Sequence, residues 1–228
     1  MPARGAQVRI RRKATRFIRF AFRLECLNLA QGRVAAPAST IRRGSLRNPA
    51  EAPALFFAPF VSSIMRAEAH WIDYNGHLNA AYYNVFFDRA VDEAFGLVGL
   101  GPDYVEERKA SFFVVESHIR YRRELRENDP VRVTLQLLAF DDKRIHYFME
   151  LHHAAEGWLA ASCENLSLHV DMTTRKVAPF PPDILANLAV MRAAHARLPH
   201  PQDAGKAIAM PRRGEDEPEP QLAAGTRH

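Results

Sequence analysis

The patch Asp73-Tyr74-Asn75-Gly76-His77-Leu78-Asn79 gathers a carboxylate, an imidazole and an amide in one short stretch. A carboxylate can attack an electrophile directly or act as general base on a water. His77 can orient a substrate or the carboxylate, or it can tie down the loop. Asn75-Gly76 is a strong turn signal, so Asp73 can also be read as a turn former and nothing more. The next run of the chain favours chemistry. Residues 80–95, AAYYNVFFDRAVDEAF, are apolar at Tyr83, Phe86, Phe87, Ala90, Val91, Ala94 and Phe95, the rhythm of a helix. Asn79 suits its N-cap and Gly96 its stop. The first N–H groups of such a helix, beginning near Ala80, have no intrahelical partner and carry the positive end of the dipole. A carbonyl oxygen placed there meets an oxyanion hole. The spacing therefore sets a carboxylate within a turn of an electrophilic helix end.

The elements around this patch form one series. Phe57 to Ala69 reads as a strand ahead of it, with Trp71 and Ile72 next in the chain. Tyr82 and Val85 widen the apolar stripe of the helix, and a helix apolar over so much of its circumference needs to be wrapped. After a loop at Gly101-Pro102-Asp103 the pattern turns extended: 111–125, 131–140, 144–153 and 158–171, the last continuing toward Val177. Short turns at 127–130, 141–143 and 155–157 make this an antiparallel meander. A final helix is expected over 183–198. An antiparallel sheet needs one face covered, and the 80–95 helix is the element suited to cover it. The fold class is thus α+β, a curved sheet around one central helix.

Other residues invite a chemical reading. Glu116 and His118 lie two apart on a strand and share a face, where Glu116 can serve as a second acid. Tyr83 is expected in the core with its hydroxyl toward the pocket, and Asp88 in a pairing with an arginine. Arg120, Arg122 and Arg126 alternate onto one face, either to hold phosphates, to solvate an outer surface, or to pair with Glu124 and Glu127. His146, His152, His153 and His169 show no metal-ligand spacing, so no metal and no cofactor are expected. Cys163 reads as a small core residue. The chain has no G-x-S-x-G elbow, P-loop or G-x-G-x-x-G, which argues against serine-hydrolase, NTPase and dinucleotide chemistry.

Charge divides the chain. Residues 1–50 hold twelve Lys or Arg and one acid, Glu25, a balance of +11; the whole chain is +5, so the remainder carries −6. The basic balance therefore belongs to residues 1–54, which are expected to be a disordered extension. Three readings compete for it: a targeting peptide, a surface-binding arm, or a translated upstream stretch outside the working protein, with Met65 as an internal start that would cut into the first strand. The segment 199–228 is Pro-rich and polar and is expected to be a disordered tail. Residues 55–198 remain as one domain. Two cysteines, Cys26 and Cys163, are too few for a disulfide framework and favour the cytoplasm. No uncharged run is long enough to span a bilayer. Neither a nucleic-acid nor a membrane partner is expected.

A strand, then D-x-x-G-H-x-N, then a long apolar helix, then an antiparallel meander resembles the hotdog-fold thioesterases of the 4-hydroxybenzoyl-CoA thioesterase type, over about residues 58–180. The stretches WIDYNGHLNAAYYN, FVVESHIRYRREL, DDKRIHYF and ENLSLHVD also resemble the betainyl-CoA thioesterase module fused to carnitine dehydrogenase. The resemblance implies hydrolysis of an acyl-CoA thioester with Asp73 as nucleophile or base. It implies substrate contacts among Gly76, His77, Asn79, Ala80, Tyr83, Glu116 and His118, and a homodimer or homotetramer with the site at the interface. A hotdog hydratase or dehydratase pairing His77 with Glu116, and a non-catalytic acyl-CoA-binding module, are the alternatives.

Overall fold

The computed structural model describes residues 58–210. The basic extension, with Cys26, and the residues beyond 210 lie outside them. Strand β1 (Phe60–Val61) and strand β2 (Met65–Arg66) are two short pieces where one strand was expected. Both pair antiparallel with β4 (Pro130–Phe140). Between them Ser62 stays in register: its N–H reaches Val133 O at 2.8 Å, and its hydroxyl accepts from the Val133 N–H at 3.0 Å. Helix α1 (Ala80–Gly96) comes next, then a short helix α2 (Pro102–Arg108). Helix α2 occupies a stretch whose sequence suggested only a loop. Pro102 stands in its first turn, where a missing N–H costs nothing, and Lys109 ends it with φ of 51°.

The sheet continues through β3 (Ala110–Tyr121), β4, β5 (Arg144–His153), β6 (Leu159–Asp171) and β7 (Lys176–Val177). Its order is β1-β4-β5-β6-β3, with β2 beside β4 and β7 folded back on β6. All pairs are antiparallel. Helix α3 (Pro182–His195) closes the element order. It packs its Ile184, Leu188 and Met191 into the same core as α1, at helical spacing. The expected α+β hotdog architecture is present, with α1 as the wrapped helix.

Alternation divides the sheet into two faces. Val131, Val133, Leu135 and Leu137 of β4 and Ile145, Tyr147, Met149 and Leu151 of β5 are fully buried with Phe86, Phe87 and Phe95 of α1. Each of those phenylalanines contributes about 1.5–3 kcal/mol by leaving water. On β3, Phe112 and Ile119 pack on this core, and the Ser117 hydroxyl meets the buried Cys163 thiol at 3.5 Å. Glu116, His118 and Arg120 consequently point to the opposite, outer face.

The outer face is crossed by chain that the sequence marked as disordered tail. Gln136 of β4 donates to Pro199 O at 3.3 Å, the Gly205 N–H donates to Glu164 of β6 at 2.7 Å, and Asp203 meets Arg120 and Arg122 of β3. Residues 199–207 form a strap across the strands. Composition reads this stretch as unfolded because its hold on the sheet is polar and nonlocal.

Behind α2, His169 is 3% exposed between Tyr104 and Phe180. Its Nδ1 lies 2.9 Å from Ala178 O, which can only accept, so Nδ1 carries the proton and Nε2 accepts from the Tyr104 hydroxyl at 2.8 Å. Burial lowers its pKa below the ordinary 6.5. The unfolded chain then binds a proton that the folded chain resists, so stability falls as pH drops below about 6.5. Melting temperatures across this range should show the decline, and a His169→Gln variant should flatten it; an unchanged slope would contradict this role for His169.

Candidate functional site

The site is built from a hairpin that folds back on the start of α1. Ile72 and Leu78 form an isolated antiparallel bridge. Beside it the Asn79 N–H donates to Trp71 O at 3.0 Å and the Asp73 N–H donates to His77 O at 3.0 Å. Within the loop the Gly76 N–H returns to Asp73 O at 3.0 Å. Gly76 has φ of +81°, with open space where a Cβ would stand, so glycine is needed there for conformation rather than for room. Its contribution is loop geometry; substrate contact remains an expectation.

Asp73 is both turn former and candidate reactant. Its Oδ1 accepts the Asn75 N–H at 2.8 Å, and the side chain keeps 15% of its exposure. His77 stands alongside, its Nδ1 3.9 Å from Asp73 Oδ1 and 3.4 Å from Leu78 O. At 3.9 Å there is no hydrogen bond between them.

Asn79 caps α1, its Oδ1 accepting the Ala81 N–H at 3.0 Å. The cap therefore consumes one of the helix's early donors. The Ala80 N–H, one residue earlier, has no acceptor among the described residues. Trp71 fixes the hairpin to the helix. It is 4% exposed, stacks on Tyr82 with centroids 5.4 Å apart, meets Phe86 edge-on, and carries the Arg89 guanidinium at 5.0 Å from its ring.

Tyr83 lies in the core as expected, and only the direction of its hydroxyl is corrected. Its hydroxyl donates to Arg123 O at 3.4 Å and accepts the Leu125 N–H at 3.2 Å. Burial pushes its pKa up to about 12. Both hydrogen-bonding roles are spent on the segment after β3, and Leu125 O in turn accepts the Leu78 N–H at 2.7 Å. Tyr83 thus latches the site loop to the chain rather than facing a pocket. Asp88 also departs from expectation: the neighbouring Arg89 pairs with Glu68, and no described arginine pairs with Asp88. Its carboxyl pKa is raised by desolvation, although the residue reaches solvent.

Glu116 and His118 belong elsewhere. They line a cavity of about 550 Å³ on the outer face, with Phe140, His146, Glu164 and Lys206 among its walls. The sheet separates this cavity from the side that holds α1. Glu116 therefore does not complete a pair with His77, because strand alternation turns it away from the helix.

One polar feature escaped sequence reasoning. On the core face, Asn165 donates to the Tyr147 hydroxyl at 3.3 Å, that hydroxyl meets Ser167 at 3.2 Å, and the Cys163 thiol donates to Asn165 at 3.2 Å. Strand β6 is inverted: Asn165 and Ser167 face the core while Leu166 and Leu168 are half-buried on the other side. The signal is the alternation of polar and apolar residues over 163–168, in which the polar set turns inward. Burial raises the Cys163 pKa to about 11, which leaves it an inert thiol.

An antiparallel sheet wrapped around one long apolar helix defines the hotdog fold. The chain belongs to the thioesterase-like superfamily, whose model matches residues 67–188. It is 37% identical over 147 residues to the L-carnitine dehydrogenase/betainyl-CoA thioesterase of Rhizobium meliloti, a match that covers 64% of this chain and 29% of that protein. It is 35% identical over 141 residues to the betainyl-CoA thioesterase of Pseudomonas aeruginosa, covering 62% of this chain and 89% of that one. A hypothetical protein from Staphylococcus aureus, solved in complex with CoA, superposes with a TM-score of 0.63 at 28% identity, over 70% of this chain and all of its own.

Replacing Tyr83 by Phe strands the buried Leu125 N–H. Urea unfolding should show a loss of about 1–3 kcal/mol. A rise in KM with no loss of stability would instead make the hydroxyl a substrate ligand.

Proposed function

We propose that this chain hydrolyses an acyl-CoA thioester at Asp73. The observation that carries the reading is the bridge Ile72–Leu78, which folds the hairpin that bears the sheltered Asp73 carboxylate back toward the start of α1. In the general-base route, Asp73 takes a proton from a water as its oxygen bonds to the acyl carbon. The carbonyl electrons move onto oxygen, which the Ala80 N–H and the helix dipole stabilise. The carbon–sulfur bond then breaks and the proton passes to the CoA sulfur. In the nucleophilic route Asp73 itself bonds to the acyl carbon, the carbon–sulfur bond breaks to release CoA thiolate, and water then cleaves the resulting anhydride, its oxygen going to the acid product and its proton to the thiolate. His77 stands beside Asp73, 3.9 Å away, where it can orient the substrate in either route. The named relatives make betainyl-CoA, a quaternary-ammonium thioester, the first substrate to assay.

The alternatives are weaker on this geometry. A hydratase needs an imidazole and a carboxylate converging on one enoyl group, whereas His77 and Glu116 lie on opposite sides of the sheet. A pure binding module leaves the sheltered carboxylate at the helix start without a use.

We further propose a homodimer as the smallest working unit. Strand β3 is twelve residues long and pairs with β6 on one side only, among the described residues. Its other edge is a template for a second copy. A cytoplasmic location accords with Cys163 being a free thiol and with no described helix being long and apolar enough to cross a membrane.

Thiol release from a panel of short, branched, aromatic and quaternary-ammonium acyl-CoAs should identify at least one substrate. Asp73→Asn should lower the rate by about two to four powers of ten. Full activity in that variant would sink the assignment. Light scattering should give a dimer or a tetramer, and an active monodisperse monomer would contradict the proposed assembly.

A further inference from the structure

Asp203 lies in the strap and is met by three cations. Its Oδ1 accepts from Arg120 at 2.9 Å and from Lys206 at 3.2 Å, and its Oδ2 accepts from Arg122 at 2.6 Å. The carboxylate side chain is 14% exposed and Arg120 is 22% exposed. These contacts hold the Asp203 pKa below the ordinary carboxylate range despite the opposing desolvation. Asp203 is thus the shared acceptor of three cationic side chains. Two guanidinium groups converging on the two oxygens of one carboxylate are an arrangement that also suits the oxygens of a phosphate.

The ligand in this cradle is the chain's own, and its tether is weak. No residue of 199–207 is fully buried. Besides Asp203, the strap's described anchors to the sheet are the Gln136–Pro199 contact and the Gly205 N–H on Glu164, the latter carboxylate also engaged by His146 at 2.7 Å. The buried Phe148 lies in the cross-strand row between Gln136 and Glu164, on the strap's path. The cradle also adjoins the candidate site through the chain: Tyr121, between the two arginines, donates its hydroxyl to Ala80 O at 3.1 Å.

We propose that Arg120 and Arg122 form a phosphate-binding site that the strap occupies through Asp203 as an internal substitute ligand, so that a bound phosphate group displaces the strap. The phosphate monoester of CoA and free inorganic phosphate share this chemistry. The inference deepens the CoA-ester reading above, but it is read through binding and stands apart from turnover.

The test uses the full chain and calorimetric titration with CoA, dephospho-CoA and inorganic phosphate. Asp203→Asn removes the competing charge while keeping the side chain's shape. It should tighten phosphate binding about tenfold, the usual effect of lifting a modest competing equilibrium. Adding Arg120→Gln and Arg122→Gln should abolish that gain. A gain for CoA alone assigns the site to its phosphate monoester, and a gain for inorganic phosphate as well assigns it to free phosphate. In the wild-type chain, ligand saturation should speed amide hydrogen exchange over 199–207. Unchanged affinity for all three probes in Asp203→Asn, or strap protection untouched by saturating ligand, would overturn the proposal. Loss of thiol release with this affinity gain intact would reject only the catalytic reading.

Discussion

The Ile72–Leu78 bridge is the interaction on which the site depends. It takes one pair of residues out of the main sheet and uses them to fold a hairpin against the start of α1. Everything that carries chemistry hangs from it. Asp73 leaves the bridge on one side and Asn79 on the other, so carboxylate and helix start are joined by backbone hydrogen bonds rather than by a flexible loop. Trp71 anchors one end through its stack on Tyr82, and Tyr83 anchors the other through the segment after β3. A positioned carboxylate gains its rate advantage from such immobility, because the cost of orienting it is met in folding and not during reaction.

The same economy appears in the helix. A wrapped helix as apolar as α1 has few polar groups to offer, and its N-terminus is the one place where backbone donors are free by construction. The Asn79 cap takes the Ala81 N–H and leaves that of Ala80. In the proposed reaction, stability and function therefore divide adjacent amides between them. The opposite face of the sheet is organised differently, by charge: Arg120, Arg122, His146 and Glu164 are satisfied by one another or by the strap.

Much of this was legible in the residues. The helix at 80–96, the meander and the carboxylate turn announce themselves through local rules: 3.6 periodicity, Asn-Gly, an N-cap ahead of an apolar run. The strand Arg144–His153 falls where the alternation places it. The features that were not legible depend on partners far along the chain. Tyr83 looks like a pocket residue until Leu125, 42 residues away, claims its hydroxyl. Glu116 looks like a partner for His77 until strand alternation, read from its neighbours on β6, turns it outward. The strap looks like disordered tail until Asp203 finds Arg120 and Arg122, about eighty residues earlier. Helix α2 was obscured by its own brevity, with Gly101 and Pro102 reading as a turn.

The most direct measurement is a structure of the full chain with a non-hydrolysable ketone analogue of an acyl-CoA, in which a methylene separates sulfur from the carbonyl. The carbonyl carbon is expected within about 3.5 Å of an Asp73 carboxylate oxygen or of a water that it holds. The carbonyl oxygen should face the Ala80 N–H. An analogue whose acyl group settles instead in the outer-face cavity, beside Glu116 and His118, would contradict the placement of the reaction at Asp73.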